Sequence, residues 1–155
     1  MSRQKKPKNG FKNAVQVTLL LKDAYESGLK ALGNHSSKVK PSDTTKCQGS
    51  VDIDAALREV EGYRNACRWD YVVGYDDRKY FIEVHGAKTD EVKAVLNKLQ
   101  WLKDFLVNDA AELNKGKKSF YWISSNGNHV LPNSTQARQL SQKGIEMKLV
   151  GQLNL

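Results

Sequence analysis

Two runs of β-branched and aromatic residues, 68–74 (Arg-Trp-Asp-Tyr-Val-Val-Gly) and 80–85 (Tyr-Phe-Ile-Glu-Val-His), flank Asp76-Asp77 and read as the arms of a β-hairpin. Register governs both arms, because side chains alternate between faces and a slip of one residue inverts the pattern. If Asp76 and Asp77 form a two-residue turn, Tyr75 pairs with Arg78 and Gly74 with Lys79. Counting outward then sets Asp70 opposite Glu83 on one face. Asp-Asp is poorer turn chemistry than Asn-Gly, and a loop that shifts the pairing by one residue sends the two acids to opposite faces.

Carboxylates directly across a strand pair repel, so the expected register demands compensation: a bound cation, a basic side chain, or a shared proton. A hard divalent cation takes oxygen ligands and keeps open positions for water and phosphate, which points to metal-assisted cleavage of nucleic acid. An ion pair with Arg68, or with a lysine from another segment, meets the same demand with no chemistry attached.

The chain of 155 residues suits one core, with residues 1–10 as a flexible basic arm and 11–155 as a single domain. A formal charge of +8 suggests a polyanionic partner, nucleic acid being the natural candidate, although lysine-rich surfaces also serve solubility. Arg3, Lys5, Lys6 and Lys8 in the arm suit phosphates, or belong to a solvated tail. No apolar run reaches the length of a membrane span and the N-terminus lacks the apolar stretch of a secretory signal, so a cytoplasmic location is expected. Cys47 and Cys67 are too few and too far apart for a zinc site and read as free thiols.

Along the chain, Ala14, Val17, Leu21, Ala24, Tyr25, Gly28 and Leu32 recur at spacings of three and four and predict a helix over 11–32. Residues 36–47 read as a loop, in which Lys38, Lys40 and Lys46 form either a basic flap toward a substrate or an idle surface. A short strand is expected over 49–53 and a short helix over 55–60 capped by Asp54. Val92, Val95, Leu96, Leu99, Leu102 and Leu106 mark a helix from a Thr89 cap to about residue 111, its apolar face widened by Trp101 and Phe105. A strand over 119–124, an extension at 129–131, a helix over 134–143 and a strand over 147–150 follow.

The order of elements gives an α/β fold, a central mixed sheet flanked by helices. With Asp70 on one strand and Glu83-Val84-His85 on the next, the chain resembles the PD-(D/E)xK nuclease superfamily, whose restriction-endonuclease-like core has this order and whose site pairs an acid with an acid-x-lysine. The resemblance runs over roughly residues 11–124, and its motif is short. More narrowly, the strings at 68–71, 81–87 and 98–103 look like those of small prokaryotic proteins without an assigned activity.

The resemblance implies magnesium or manganese held by Asp70, Glu83 and the Val84 carbonyl, with His85 in the lysine position. An imidazole is mostly neutral where an ammonium is charged, so His85 is read as a general base, a third metal ligand, or the mark of a site that has lost catalysis. Lys88 is a candidate to restore the missing charge, and Glu26 a weaker one to join the metal shell. The alternatives are a noncatalytic nucleic-acid-binding domain on the same fold and a protein-interaction module, with a second copy of the chain as one candidate partner. His35 and His129 are given no role.

Overall fold

A computed structural model describes residues 9–87, 91–128 and 147–155. In chain order the elements are α1 (Gly10–Val17), β1 (Val39–Lys40), β2 (Cys47–Asp52), α2 (Ile53–Leu57), β3 (Tyr71–Tyr75), β4 (Arg78–Ala87), α3 (Val92–Asn108), β5 (Lys117–Asn128), β6 (Met147–Val150) and β7 (Leu153–Asn154). Short 3-10 segments occupy Lys30–Lys38 and Thr44–Lys46.

Asp76 and Asp77 both take positive φ, 48° and 61°, the pair of left-handed conformations that closes a type I′ hairpin. Tyr75 pairs with Arg78, Gly74 with Lys79 and Tyr71 with Ile82, so the expected register holds. β2 lies antiparallel on the other side of β3, while β5 runs parallel to β4 after the α3 crossover and β6 adds parallel to β5. The result is a mixed five-stranded sheet in the order β2-β3-β4-β5-β6, with β1 and β7 forming a separate parallel pair.

Alternation along the strands divides the sheet into two faces, each with its own core. Val72, Phe81 and Trp122 point toward α1, α2 and α3 and meet Val15, Leu21, Leu99 and Leu102 there, all essentially fully buried. Val73, Ile82 and Ile123 point the other way, onto Leu32, Val39 and Leu153. The apolar stripe of α3 is thus covered by the sheet. No helix among the described residues is long and apolar enough to cross a membrane.

The helix expected over 11–32 ends at Val17. Thr18 leaves helical geometry at ψ 106°, its amide bonding Val15 and its hydroxyl the Ala14 carbonyl, in a stretch where β-branched Val15, Val17 and Thr18 weaken helix preference. The apolar residues beyond are buried by an irregular segment laid along β2: Leu21 is fully covered, and the Tyr25 hydroxyl donates to the Gln48 carbonyl at 2.6 Å. Gly49 permits this approach, since its φ of 136° suits glycine and the Tyr25 ring fills the space a side chain would need. Glu26 forms a backbone bridge to Ser50 and is exposed, so it lies outside any helix.

Several boundaries move as well. Asp52, not Asp54, caps α2, its carboxylate accepting from the Ala55 amide at 2.8 Å, and Asp54 pairs instead with Arg58 and Arg68. The 36–47 segment carries β1 and two 3-10 stretches rather than a plain loop. Asn9 and Gly10, assigned to the arm, already cap and open α1. Thr89, Lys88, His129 and the helix expected over 134–143 lie outside the described residues, as do Arg3, Lys5, Lys6 and Lys8. Both cysteines are free thiols, and burial pushes the Cys47 thiol up.

Candidate functional site

The step beyond the last ladder pair of β3 and β4 brings Asp70 and Glu83 together. Asp70 is tied down at its carbonyl by the Ile53 amide, the first residue of α2. Its own amide donates to Glu83 Oε1 at 3.2 Å, and the Val84 amide donates to Asp70 Oδ2 at 3.0 Å. Each carboxylate is therefore fixed by the backbone of the other's strand. Both lie on the face covered by α3, where Glu83 has no exposed surface and Asp70 keeps 19% of its side chain open.

The compensating charge comes from α3. Lys98 Nζ bonds Glu83 Oε2 and stands 3.7 Å from Asp70 Oδ1. Arg68, the nearer candidate in sequence, turns away to Asp54 and to the carbonyls of Tyr63 and Arg64. Burial, and then the Asp70 charge, pushes the Glu83 carboxyl up to about 8. Burial opposes the charge on Lys98, yet the Glu83 and Asp70 carboxylates hold it above the ordinary lysine value.

His85 shares this face, as strand alternation requires, but is not bonded to the acid pair: Nδ1 lies 3.8 Å from Glu83 Oε2. Its Nε2 lies 3.2 Å from Oε2 of Glu91, at the start of α3, and its carbonyl accepts from the Trp122 indole at 3.0 Å. Lys98, rather than His85, is the basic side chain that approaches both acids. A signal for it was present: Lys98 comes three residues after Val95 and four before Leu102, on the margin of the buried stripe, where a lysine needs a carboxylate.

The basic loop does not reach the acids. Lys38 and Lys40 flank Val39, which packs into the core on the opposite face of the sheet. Lys46 sits at the hairpin-turn end, its carbonyl accepting from the Asp76 amide. That is the far end of β2 from Asp52 and hence from Asp70.

Among the described residues no group of three or more His, Cys, Asp or Glu side chains is arranged to hold a metal. Asp70 Oδ1 accepts no hydrogen bond among the described residues and lies 3.7 Å from the Lys98 ammonium. The Val84 carbonyl shares the strand side of its amide, which points at Asp70. Carboxylate and carbonyl oxygens of this kind suit a hard cation that keeps several waters. Comparison with protein-family models, curated proteins and solved structures finds no match for the chain.

Proposed function

We propose that the chain is a metal-dependent nuclease-like protein of restriction-endonuclease-like fold, acting on phosphodiester bonds of nucleic acid. The observation that carries this reading is the convergence of Asp70, Glu83 and Lys98 at one point of the sheet. The order of a helix, three antiparallel strands, a crossover helix and a parallel strand supports the resemblance to the PD-(D/E)xK superfamily. The excess of positive charge supports a polyanionic substrate.

Asp70, Glu83 and the Val84 carbonyl would hold magnesium or manganese, which when bound supplies an activated water and neutralises charge on the scissile phosphate. Lys98 does what the motif lysine does elsewhere. Its ammonium is charged at neutral pH, is held by the carboxyl oxygens of Glu83 and Asp70, and orients the attacking water while offsetting charge that develops on the phosphate. His85, steadied between Glu91 and the Trp122 side, borders the cluster.

The test is calorimetric titration of manganese and magnesium into wild type and Asp70→Ala, with labelled single- and double-stranded DNA and RNA incubated alongside. Metal binding and cleavage that both vanish in the variant support the reading, and absence of metal binding to wild type with nucleic acid present overturns it.

One observation favours a second reading. Glu83 is fully buried and already bonded to Lys98, so the cluster is electrostatically closed as it stands. On that reading the domain binds nucleic acid without cutting it, and binding survives Asp70→Ala.

A further inference from the structure

The end of the sheet farthest from Asp70 is built from like charges. β4 opens with Arg78-Lys79 and β5 with Lys117-Lys118, and their parallel register sets Arg78 beside Lys117 and Lys79 beside Lys118. Adjacent like charges across a strand pair are destabilising unless an anion or a polar anchor intervenes. Alternation sends one pair to each face.

On the α3 side the anchors are present. Lys79 donates to the carbonyls of Glu112 and Lys115, and Lys118 to that of Asn114. Even so, burial and the neighbouring Lys118 charge pull Lys79 below its ordinary value. On the other face Arg78 reaches, among the described residues, the Ser119 hydroxyl at 3.0 Å, and Lys117 is exposed. Neither forms an ion pair among the described residues. Of the nearby acids, Asp77 accepts from Gln48 and Glu112 pairs with Lys115, while exposed Asp76 in the turn lies close enough to Tyr80 to raise its phenol.

The same face continues with aromatic rings. Tyr80 and Tyr121 stack with centroids 6.2 Å apart and planes 27° apart, half-buried at the margin of the second core. Neither hydroxyl makes a hydrogen bond to the described residues. Unpaired cations next to stacked, part-exposed rings match a backbone of phosphates carrying accessible bases. A duplex presents the phosphates but keeps its bases inside.

We propose that Arg78, Lys117 and the Tyr80–Tyr121 pair form a docking platform for single-stranded nucleic acid, with phosphates on the cations and bases against the rings. The platform lies on the face opposite Asp70, Glu83 and Lys98. Five strand positions, or roughly 16 Å, separate Arg78 from Glu83, so docking does not depend on the acid cluster.

The experiment is fluorescence anisotropy of labelled oligothymidine of about 16 nucleotides, and of a duplex of the same length, across a salt series. Wild type is expected to bind the single strand about tenfold more tightly than the duplex, with Tyr121→Leu losing about tenfold. Lys117→Glu, and the Arg78→Gln/Lys117→Glu pair, are expected to weaken binding and to lower the salt slope by about 0.7 for each cation removed. Lys117 is exposed, so its variant keeps the fold, checked by circular dichroism.

Binding that ignores the Lys117 and Tyr121 changes overturns the proposal. So does equal competition by polyglutamate, which would mark a general surface for acidic proteins. If no variant and no wild type cleaves, yet this pattern holds, the nuclease reading fails and the platform stands.

Discussion

The Lys98 ammonium on α3 bonds the Glu83 carboxyl group on β4, joining a crossover helix to the strand it crosses. Because Glu83 has no exposed surface, removing the lysine strands a buried acid. Lys98→Met is expected to lose about 3 kcal/mol of stability, read from urea unfolding. The double variant Glu83→Gln/Lys98→Met should recover most of that loss, since it removes both demands together. A double variant as unstable as the single one would show that packing of the lysine stem, not the charge pair, carries the effect.

Glu83 also sets a pH dependence. Its carboxyl is raised to about 8 in the folded chain, first by burial and then by Asp70, against 4.5 when unfolded. The folded chain therefore holds a proton that the unfolded chain has released. This contribution is full below the lower value and is lost as pH rises through the upper one. Wild-type urea midpoints should fall between about pH 5 and about pH 9, and Glu83→Gln should flatten that fall. A wild-type midpoint that rises across the window would mean that Lys98 keeps Glu83 ionised.

The hairpin register was legible because alternation and a two-residue turn are local, and the same holds for the seven buried positions of α3, which recur at helical spacing. Lys98 was harder to place. Its partners lie on two other elements, and which helix residue meets which strand residue is decided by the crossing of α3 over β4, which periodicity does not encode. The first helix misled for a related reason. Leu21 does end up buried and Tyr25 partly so, at positions a helix would also have covered, but the chain reaches them by an irregular path along β2.

That path makes a prediction about Gly49. A side chain there meets the Tyr25 ring, and the φ of 136° is strained for any other residue. Gly49→Ala is expected to lower stability by about 2 kcal/mol or more, measured by thermal unfolding. Combining it with Tyr25→Ala should make the alanine at 49 less damaging than it is alone, because the steric part is relieved and only backbone strain remains.

Asp52 and Asp54 stand two residues apart and do different work. Asp52 caps α2 through the Ala55 amide, whereas Asp54 holds Arg68 and Arg58. Asp52→Ala is expected to lose about 1 kcal/mol and to speed hydrogen exchange at the Ala55 amide, with Asp52→Asn nearly neutral. Asp54→Ala should leave that amide protected. Equal exchange at Ala55 in both alanine variants would return the cap to Asp54.

The roles of Lys98 and His85 separate in a cleavage assay. Lys98 touches both acids, while His85 is 3.8 Å from one of them and faces Glu91. If the ammonium offsets charge on the phosphate, Lys98→Gln should lower kcat by about a hundredfold or more with manganese binding retained. His85→Ala should stay within about tenfold of wild type, the low side of what a lost proton-transfer group produces. The contrast is to be read from initial rates on single-stranded DNA at saturating manganese, with unfolding midpoints measured on the same samples, since Lys98 also supports the fold. A hundredfold loss in His85→Ala with Lys98→Gln near wild type would reverse the assignment and make the imidazole the group that acts on water.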